Sequence, residues 1–257
     1  MRNQIFNEDC IDTMSRMSDN SIDLVITSPH YDNLRSYDQD IDQTWGESVW
    51  KPIISELCRI IKHGGVIVWV VNDATINGSE TGSSFKQALY FMECGCNLHD
   101  TMIWVKKGGG AVGSCYTYTQ NIEYMFILSK GRPSTINLIR DQINVTRGTV
   151  RRKSKGGRIA NSNSVRVAPK HSKRNNWWYI PPQKNNSHPA VFPEQLVHDH
   201  IISWSNEGDL IYDPFLGSGT TAKIAVSLNR DYVGSELSKD YFKIAQRRIT
   251  NVQISLF

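Results

Sequence analysis

The chain has 257 residues, of which 39% are hydrophobic and 21% charged, with a formal net charge of +4. That length suits one large α/β domain, or one domain carrying an insertion, and no apolar run approaches the roughly 20 residues of a membrane span. The polar start Met1–Gln4 argues against a secretory leader, and five scattered cysteines (Cys10, Cys58, Cys94, Cys96, Cys115) without zinc-type spacing point to a reduced cytoplasmic protein with no metal site.

The apolar pattern alternates between strand and helix periods. Ile22–Ile26 reads as a short buried strand. Val49, Ile53, Leu57, Ile60 and Ile61 predict a helix over Ser48–Ile61, stopped by His63-Gly64-Gly65. Val66–Val71 is the next strand, and a Gly/Ser-rich loop through Asn77-Gly78-Ser79 leads to a helix near Ser84–Glu93. Leu98–Val105 and Ile122–Leu128 read as two more strands. After Lys130-Gly131-Arg132-Pro133 the sequence turns basic, Asn/Ser/Gly-rich and poor in aliphatics. Order returns at Pro193, which suits a first helical turn, with a helix to about Trp204. A strand at Asp209–Tyr212, a Gly-rich turn, a helix at Thr220–Leu228, a strand at Tyr232–Gly234 and a helix at Lys239–Ile249 complete the chain. This alternation predicts a doubly wound parallel or mixed sheet.

Charge is segregated along the chain. From Gln142 to Pro193 there is no Asp or Glu, yet the window holds eleven of the 29 Lys and Arg, leaving an acidic remainder. Such asymmetry points to a polyanion-facing segment on an acidic body. Residues 131–187 are therefore read as an insertion between two halves, 1–130 and 188–257. Within the insertion, Trp177-Trp178-Tyr179 is read as an anchor to the core rather than a base-stacking element, because adjacent bulky aromatics usually pack.

Two motifs carry chemistry. The later is Asp213-Pro214-Phe215-Leu216-Gly217-Ser218-Gly219-Thr220-Thr221, a strand, a two-glycine turn and a helix start. Backbone N–H groups at a helix N-terminus, approached closely because glycine lacks a Cβ, suit a bound ligand. The lysine of a triphosphate loop is missing. Glu236 lies just beyond the next strand, where an acid can accept hydrogen bonds from both hydroxyls of a ribose. The combination fits a nucleoside with a non-phosphate tail.

The earlier motif is Thr27-Ser28-Pro29-His30-Tyr31, also at a strand end. The amine of a nucleobase is a poor nucleophile because its lone pair is delocalised into the ring. Acceptors on its protons, here the Ser28 hydroxyl and the Pro29 carbonyl, help pyramidalise the nitrogen and offset growing positive charge. Tyr31 offers a face on which an extruded base can stack.

Together these motifs resemble the amino methyltransferases of DNA that act on N4 of cytosine or N6 of adenine. The catalytic motif precedes the cofactor motif with a basic stretch between, the order of the circularly permuted beta class. The resemblance covers nearly the whole chain. It implies a Rossmann-like, doubly wound mixed sheet, S-adenosyl-L-methionine as cofactor, and double-stranded DNA as substrate. By the same resemblance, Asp213, Phe215, Gly217, Gly219 and Thr220 form the methyl-donor loop and Glu236 is the ribose acid. Asp9, in Asn7-Glu8-Asp9-Cys10, is the contact to the cofactor adenine, and Phe192, in His188–Glu194, packs beside its methionine part. Ser28, Pro29 and Tyr31 form the catalytic site, and the basic stretch is the target-recognition region.

His30 departs from the family, which usually has a second proline there; a loop histidine without a catalytic role is the reading adopted. Serine at position 28 resembles the N4-cytosine type, with N6-adenine as the alternative. C5-cytosine chemistry needs a cysteine nucleophile. Its family presents that cysteine after a proline, and none of the five cysteines follows one. Direct transfer to a flipped base is expected. Arg147, Arg151, Arg152, Lys153, Lys155 and Arg158 are expected on phosphates, which gives affinity without sequence preference. Asn161, Asn163, Asn175 and Asn176 are candidates for base edges. A cognate restriction endonuclease and a monomeric or homodimeric state are further expectations. A DNA-binding regulator of the same fold stays open as an alternative.

Overall fold

The computed structural model describes residues 1–29, 45–106, 118–152, 154–155, 158–159, 165–182 and 192–255, and within these it excludes the side chains of 151–166 and 253–255. Contacts divide the chain into two compact units, Met1–Asn137 with Asn176–Phe257, and Leu138–Asn175.

The larger unit is built on one eight-stranded sheet. Its strands are β1 (Gln4–Phe6), β2 (Ile22–Thr27), β3 (Ile61–Val71), β4 (Asn97–Val105), β5 (Ile122–Ser129), β6 (Trp177–Tyr179), β7 (Leu210–Asp213) and β8 (Asp231–Ser235). Across the sheet the order is β1-β8-β7-β2-β3-β5-β4-β6. All neighbours pair in parallel except β5, which runs antiparallel to both β3 and β4. The doubly wound mixed sheet expected from the alternation is the sheet observed.

Helices α1 (Cys10–Ser15), α2 (Glu47–Ile60) and α3 (Ser83–Glu93) pack in series, as do α4 (Glu194–Trp204), α5 (Thr220–Ser227) and α6 (Lys239–Ser255). The reason lies in β3. Ile67, Trp69 and Val71 join Met14, Ile54, Leu57 and Phe91 in one cluster, while Val66, Val68 and Val70 alternate outside it and are equally buried. The stretch Val66–Val71, apolar at every position, has a helical layer on each face, and periodicity of two sorts its residues between them.

Two boundaries differ from expectation. The helix read as Ser48–Ile61 ends at Ile60, and the segment read as its glycine stop already belongs to β3. Ile61 pairs with Ile22, and a register shift follows before Leu24 meets Val66. Gly64 has φ +81°, and its N–H donates to the Lys130 carbonyl at 2.7 Å, so these glycines shape the strand rather than cap the helix. The second difference is β6. Trp177–Tyr179 falls inside the segment read as insertion, yet it pairs with β4 in the main sheet. Trp178 is buried, with its ring 4.6 Å from that of His200, and Trp104 Nε1 donates to the Ile180 carbonyl at 2.8 Å. The aromatic run adds a strand to the sheet, so the compact second unit is narrower than residues 131–187.

That second unit consists of nested antiparallel pairs. Gln142–Ile143 pairs with His171–Ser172, Val150–Arg152 with Val165–Val167, and Ser154–Lys155 with Arg158–Ile159. The nesting makes a ribbon. At its base Arg174 Nε donates to Asp141 at 3.0 Å, and this guanidinium holds the Asp141 carboxyl below its ordinary range. Val145, Val150 and Val167 are exposed, consistent with a segment that builds little core of its own.

Candidate active site

The motif segments meet along one edge of the sheet because four neighbouring strands, β1, β8, β7 and β2, run parallel and end there. Asn7–Asp9 follow β1, Glu236 follows β8, Asp213–Gly219 follow β7, and Ser28-Pro29 follow β2. The next helix after β7 is α5 and the next after β2 is α2, and these belong to opposite layers. Adjacent strands whose connections leave to opposite faces open a crevice at their carboxyl ends, the usual ligand position in such sheets.

Asp213 lies at the centre. Its carboxylate accepts from Thr27 Oγ1 at 2.7 Å, Thr221 Oγ1 at 2.7 Å and the Phe215 N–H at 3.0 Å. Burial pushes its pKa up to about 6, against the opposing effect of those three donors. Thr27 directly precedes Ser28, so Asp213 joins the ends of β2 and β7. The sequence reading places Asp213 on the cofactor, whereas these three contacts are internal and tie the two motif strands together. Ser28 is half-buried and Pro29 buried. Tyr31 and His30 lie outside the described residues.

Glu236 is half-buried. One oxygen accepts the Gly217 N–H at 2.7 Å and the other the Ser238 N–H at 2.8 Å. Burial raises its pKa against these two bonds. A carboxylate oxygen has two lone-pair sites, so each retains one for a ribose hydroxyl. The Glu236 N–H donates to the Phe6 carbonyl at 3.0 Å, and Asn7 Nδ2 donates to the Glu236 carbonyl at 2.8 Å. These bonds bring the Asp9 segment beside Glu236. Asp9 caps α1 by accepting the Ile11 N–H at 2.8 Å.

Gly217 and Gly219 have φ of +53° and +81°, a region that L side chains rarely adopt. Gly219 has a further reason. A Cβ there would stand 2.8 Å from Ala245 Cβ on α6, so its absence permits α5 and α6 to pack. No side chain caps the N-terminus of α5, which leaves its first N–H groups for a ligand. The loop rests on ion pairs: Arg248 Nη1 donates to the Ser218 carbonyl at 2.8 Å and to Thr220 Oγ1 at 3.2 Å, while its Nη2 meets Glu194 at 2.9 Å. Lys223 joins Glu194 at 2.6 Å. Burial alone would raise the Glu194 pKa; the two cations outweigh it and hold the carboxylate below its ordinary value. Phe215 packs edge-on against Trp45 and Trp69, with ring centroids 5.6 and 6.4 Å away. Phe192 is half-buried immediately before Pro193, the N-cap of α4. His188–Val191 lie outside the described residues.

A half-open acid, a glycine turn at an uncapped helix start, and an aromatic wall suit a nucleoside with a non-phosphate tail, so these residues fit S-adenosyl-L-methionine. Sequence reasoning leaves Thr27, Trp45, Glu194 and Arg248 without roles. Thr27 carried a signal, its place at the end of a buried strand, and Glu194 closed the segment His188–Glu194. The other three act through partners far away in the chain. Asn72-Asp73, left open between cleft and turn, follows the end of β3. Asp73 accepts from the Ser84 N–H at 2.8 Å and Ser84 Oγ at 2.6 Å at the start of α3.

On the ribbon, Arg147 sits in an exposed turn, and Arg151, Arg152, Lys155 and Arg158 lie on its paired strands. Lys153 lies outside the described residues, as do Asn161 and Asn163. No cluster of metal-ligating side chains occurs among the described residues, and none of the helices described is long and apolar enough to cross a membrane.

Comparison with known proteins agrees with this geometry. The chain matches the N6_N4_Mtase family, described as DNA methylase, over residues 22–247. It is 46% identical over 250 residues to the orphan methyltransferase M.BamHII of Bacillus amyloliquefaciens, covering 91% of each chain. It superposes on the PvuII DNA methyltransferase (cytosine-N4-specific) with a TM-score of 0.70 at 17% identity, over 98% of this chain and 91% of that one. TTHA0409 of Thermus thermophilus, complexed with S-adenosyl-L-methionine, gives a TM-score of 0.66 at 21% identity, over 97% and 94%. At such identities the structural likeness bears on fold.

Proposed function

The chain belongs to the N6_N4_Mtase family of DNA methylases, and from that premise we propose that it methylates N4 of cytosine at a specific duplex site. It is a DNA methyltransferase dependent on S-adenosyl-L-methionine. The finer reading, the base, rests on Ser28. A neutral hydroxyl beside the Pro29 carbonyl accepts the protons of an exocyclic amine, and Ser28 follows Thr27, whose bond to Asp213 sets that strand end.

When bound, S-adenosyl-L-methionine supplies an electrophilic methyl group. Glu236 holds the ribose, Asp9 the adenine, and Phe192, Phe215, Gly217, Gly219 and Thr220 line the remainder of the donor side. On the acceptor side, the flipped base stacks on Tyr31. Its amine donates to Ser28 Oγ and to the Pro29 carbonyl, which holds the nitrogen lone pair toward the donor. The two groups stabilise positive charge as it develops on nitrogen, so positioning and fixed dipoles carry the acceleration.

The ribbon of the second unit is the proposed DNA reader. Arg147, Arg151, Arg152, Lys153, Lys155 and Arg158 neutralise phosphates, and a two-stranded ribbon is a form that the major groove admits. The free thiols of Cys10, Cys58, Cys94 and Cys96 fit a reducing cytoplasm. The relatives include an orphan methyltransferase and type II methyltransferases; as the orphan shares the higher identity, action without a cognate endonuclease is the reading favoured.

The test is nucleoside mass spectrometry of DNA methylated by the protein. N4-methylcytosine is expected. N6-methyladenine would overturn the base assignment and leave family membership standing. In a tritiated-methyl assay Ser28→Ala should cut the rate strongly while S-adenosyl-L-methionine binding stays near wild type; an unchanged rate would remove Ser28 from the mechanism. Duplex binding without any transfer at saturating cofactor would favour a regulator.

A further inference from the structure

Three of the cysteines come together at one place in the fold. Cys58 lies in the last turn of α2, Cys94 is the C-cap of α3, and Cys96 directly precedes β4. Cys58 Sγ stands 3.3 Å from Cys96 Sγ, although the two are 38 residues apart, and both are buried. Closing that contact to a covalent S–S bond asks the sulfurs to approach by little more than about 1 Å. Cys94 is partly exposed, and its side chain also hydrogen-bonds that of Cys58. Gly95, at φ +90°, turns the chain between Cys94 and Cys96, and the Gly95 and Cys96 N–H groups donate to the Met92 and Phe91 carbonyls, both at 3.0 Å. The turn sets one thiol at the surface and the next, two residues on, in the core.

The surroundings divide the roles of the three. Lys130 Nζ donates to the Cys58 carbonyl at 2.9 Å and to the Ile61 carbonyl at 3.3 Å, which places an ammonium beside the buried pair. The bond from Cys58, helped by this cation and opposed by burial, holds the Cys96 thiol below its ordinary pKa. The same bond, together with burial, pushes Cys58 up. The shared proton therefore sits on Cys58 and the negative charge on Cys96. Cys10, a cysteine that fills core volume, is by contrast simply raised by its burial.

We propose that Cys94, Cys58 and Cys96 form a thiol–disulfide relay, in which a peroxide is reduced at Cys94 and the oxidation is stored as a Cys58–Cys96 disulfide. The Cys94 sulfur attacks the peroxide, an S–O bond forms as the O–O bond breaks, and one water leaves with the thiol proton. Cys58 passes its proton to Cys96 and attacks the Cys94 sulfenic acid; an S–S bond forms and hydroxide departs. That hydroxide takes the proton from Cys96 and becomes the second water. The Cys96 thiolate then attacks the Cys58 sulfur and displaces Cys94 as a thiolate, ready for another peroxide. In sum, two thiols give up two electrons and two protons, and one peroxide becomes two waters. The bond ties the end of α2 to the start of β4, at the amino ends of β3 and β4 and so on the sheet edge opposite the methyl-transfer crevice. It closes a long loop, which constrains the unfolded chain and stabilises the fold. The relay is independent of the base that is methylated.

The test treats the fully reduced protein with hydrogen peroxide, alkylates the remaining thiols and maps the peptides by mass spectrometry without reduction. Wild type should yield a Cys58–Cys96 linked peptide that dithiothreitol separates, with S-adenosyl-L-methionine binding retained and the thermal midpoint raised by several degrees. Cys94→Ser should form that bond about tenfold more slowly, because the exposed thiol is gone. Cys96→Ser should stop at a Cys58–Cys94 bond, and Cys58→Ser should leave Cys94 as a sulfenic acid that dimedone traps. Far-ultraviolet spectra matching wild type show that each variant is folded. A wild type whose Cys58 and Cys96 stay free, a Cys94→Ser protein that crosslinks as fast as wild type, or a Cys96→Ser protein without the Cys58–Cys94 bond would overturn the inference.

Discussion

Thr27 closes β2, and its hydroxyl donates to the carboxylate that closes β7. One side chain therefore connects the acceptor motif to the donor loop, although neither Thr27 nor Asp213 need touch substrate. Removing a partner from a buried carboxylate costs about 1–3 kcal/mol. If that cost falls on the geometry of Ser28, it corresponds to roughly five- to 150-fold in rate. Thr27→Val should accordingly lower kcat with little change in KM for S-adenosyl-L-methionine, and Thr27→Ser should restore it; steady-state methyl transfer reads both. Asp213 also makes a pH prediction. Its folded pKa of about 6 lies above the ordinary value of 3.8, so the folded protein binds more protons than the unfolded one between those values. Stability from this group is then highest below about 4 and is lost as pH rises through about 6. Urea unfolding across this window should show the slope in wild type and a flatter profile in Asp213→Asn.

At the scale of elements, the donor loop depends on how α5 and α6 fit together. Gly219→Ala would place a methyl 2.8 Å from Ala245 Cβ and force an L residue to φ +81°. Overpacking costs about 1–3 kcal/mol and the backbone strain is of similar size. Thermal unfolding should register the sum. Adding Ala245→Gly should recover only part of the steric cost, because the new methyl also stands 2.9 Å from the Ala245 Cα, which glycine keeps. The ion pairs behind the loop act differently. Glu194 anchors Arg248, and Arg248 holds Ser218 and Thr220. Glu194→Ala should raise KM for S-adenosyl-L-methionine severalfold with a smaller change in kcat at saturation, because it frees the loop without altering the acceptor groups. An unchanged KM would show that the loop holds its shape unaided.

For the whole molecule, the segregation of charge becomes a measurable salt dependence. The ribbon unit carries the basic run, and each phosphate contact removed should flatten the plot of log binding constant against log salt by about 0.9. Arg147→Ala with Arg151→Ala and Arg152→Ala should thus reduce the slope by nearly 3, to a similar degree on cognate and unrelated duplexes. A change confined to the cognate duplex would assign these residues to base reading.

What the sequence determined by itself was local or compositional. Alternating periods exposed the doubly wound sheet because the central strands carry runs of apolar residues and helices such as α2 bury apolar residues at helical spacing. The glycine turn, Glu236 and the Ser28-Pro29 pair stood out as candidates because the chemistry proposed for them depends on near neighbours in the chain. The acid-free window marked the insertion because charge requires no fold to be counted. Tertiary structure alone decided what depends on partners far apart in sequence. Thr27 meets Asp213 across 186 residues, Gly219 makes room for Ala245, and Trp177–Tyr179 extends the sheet on β4. Pairing and packing of this kind follow from the order in which strands line up, and that order is set by burial over the whole domain, which no local pattern records.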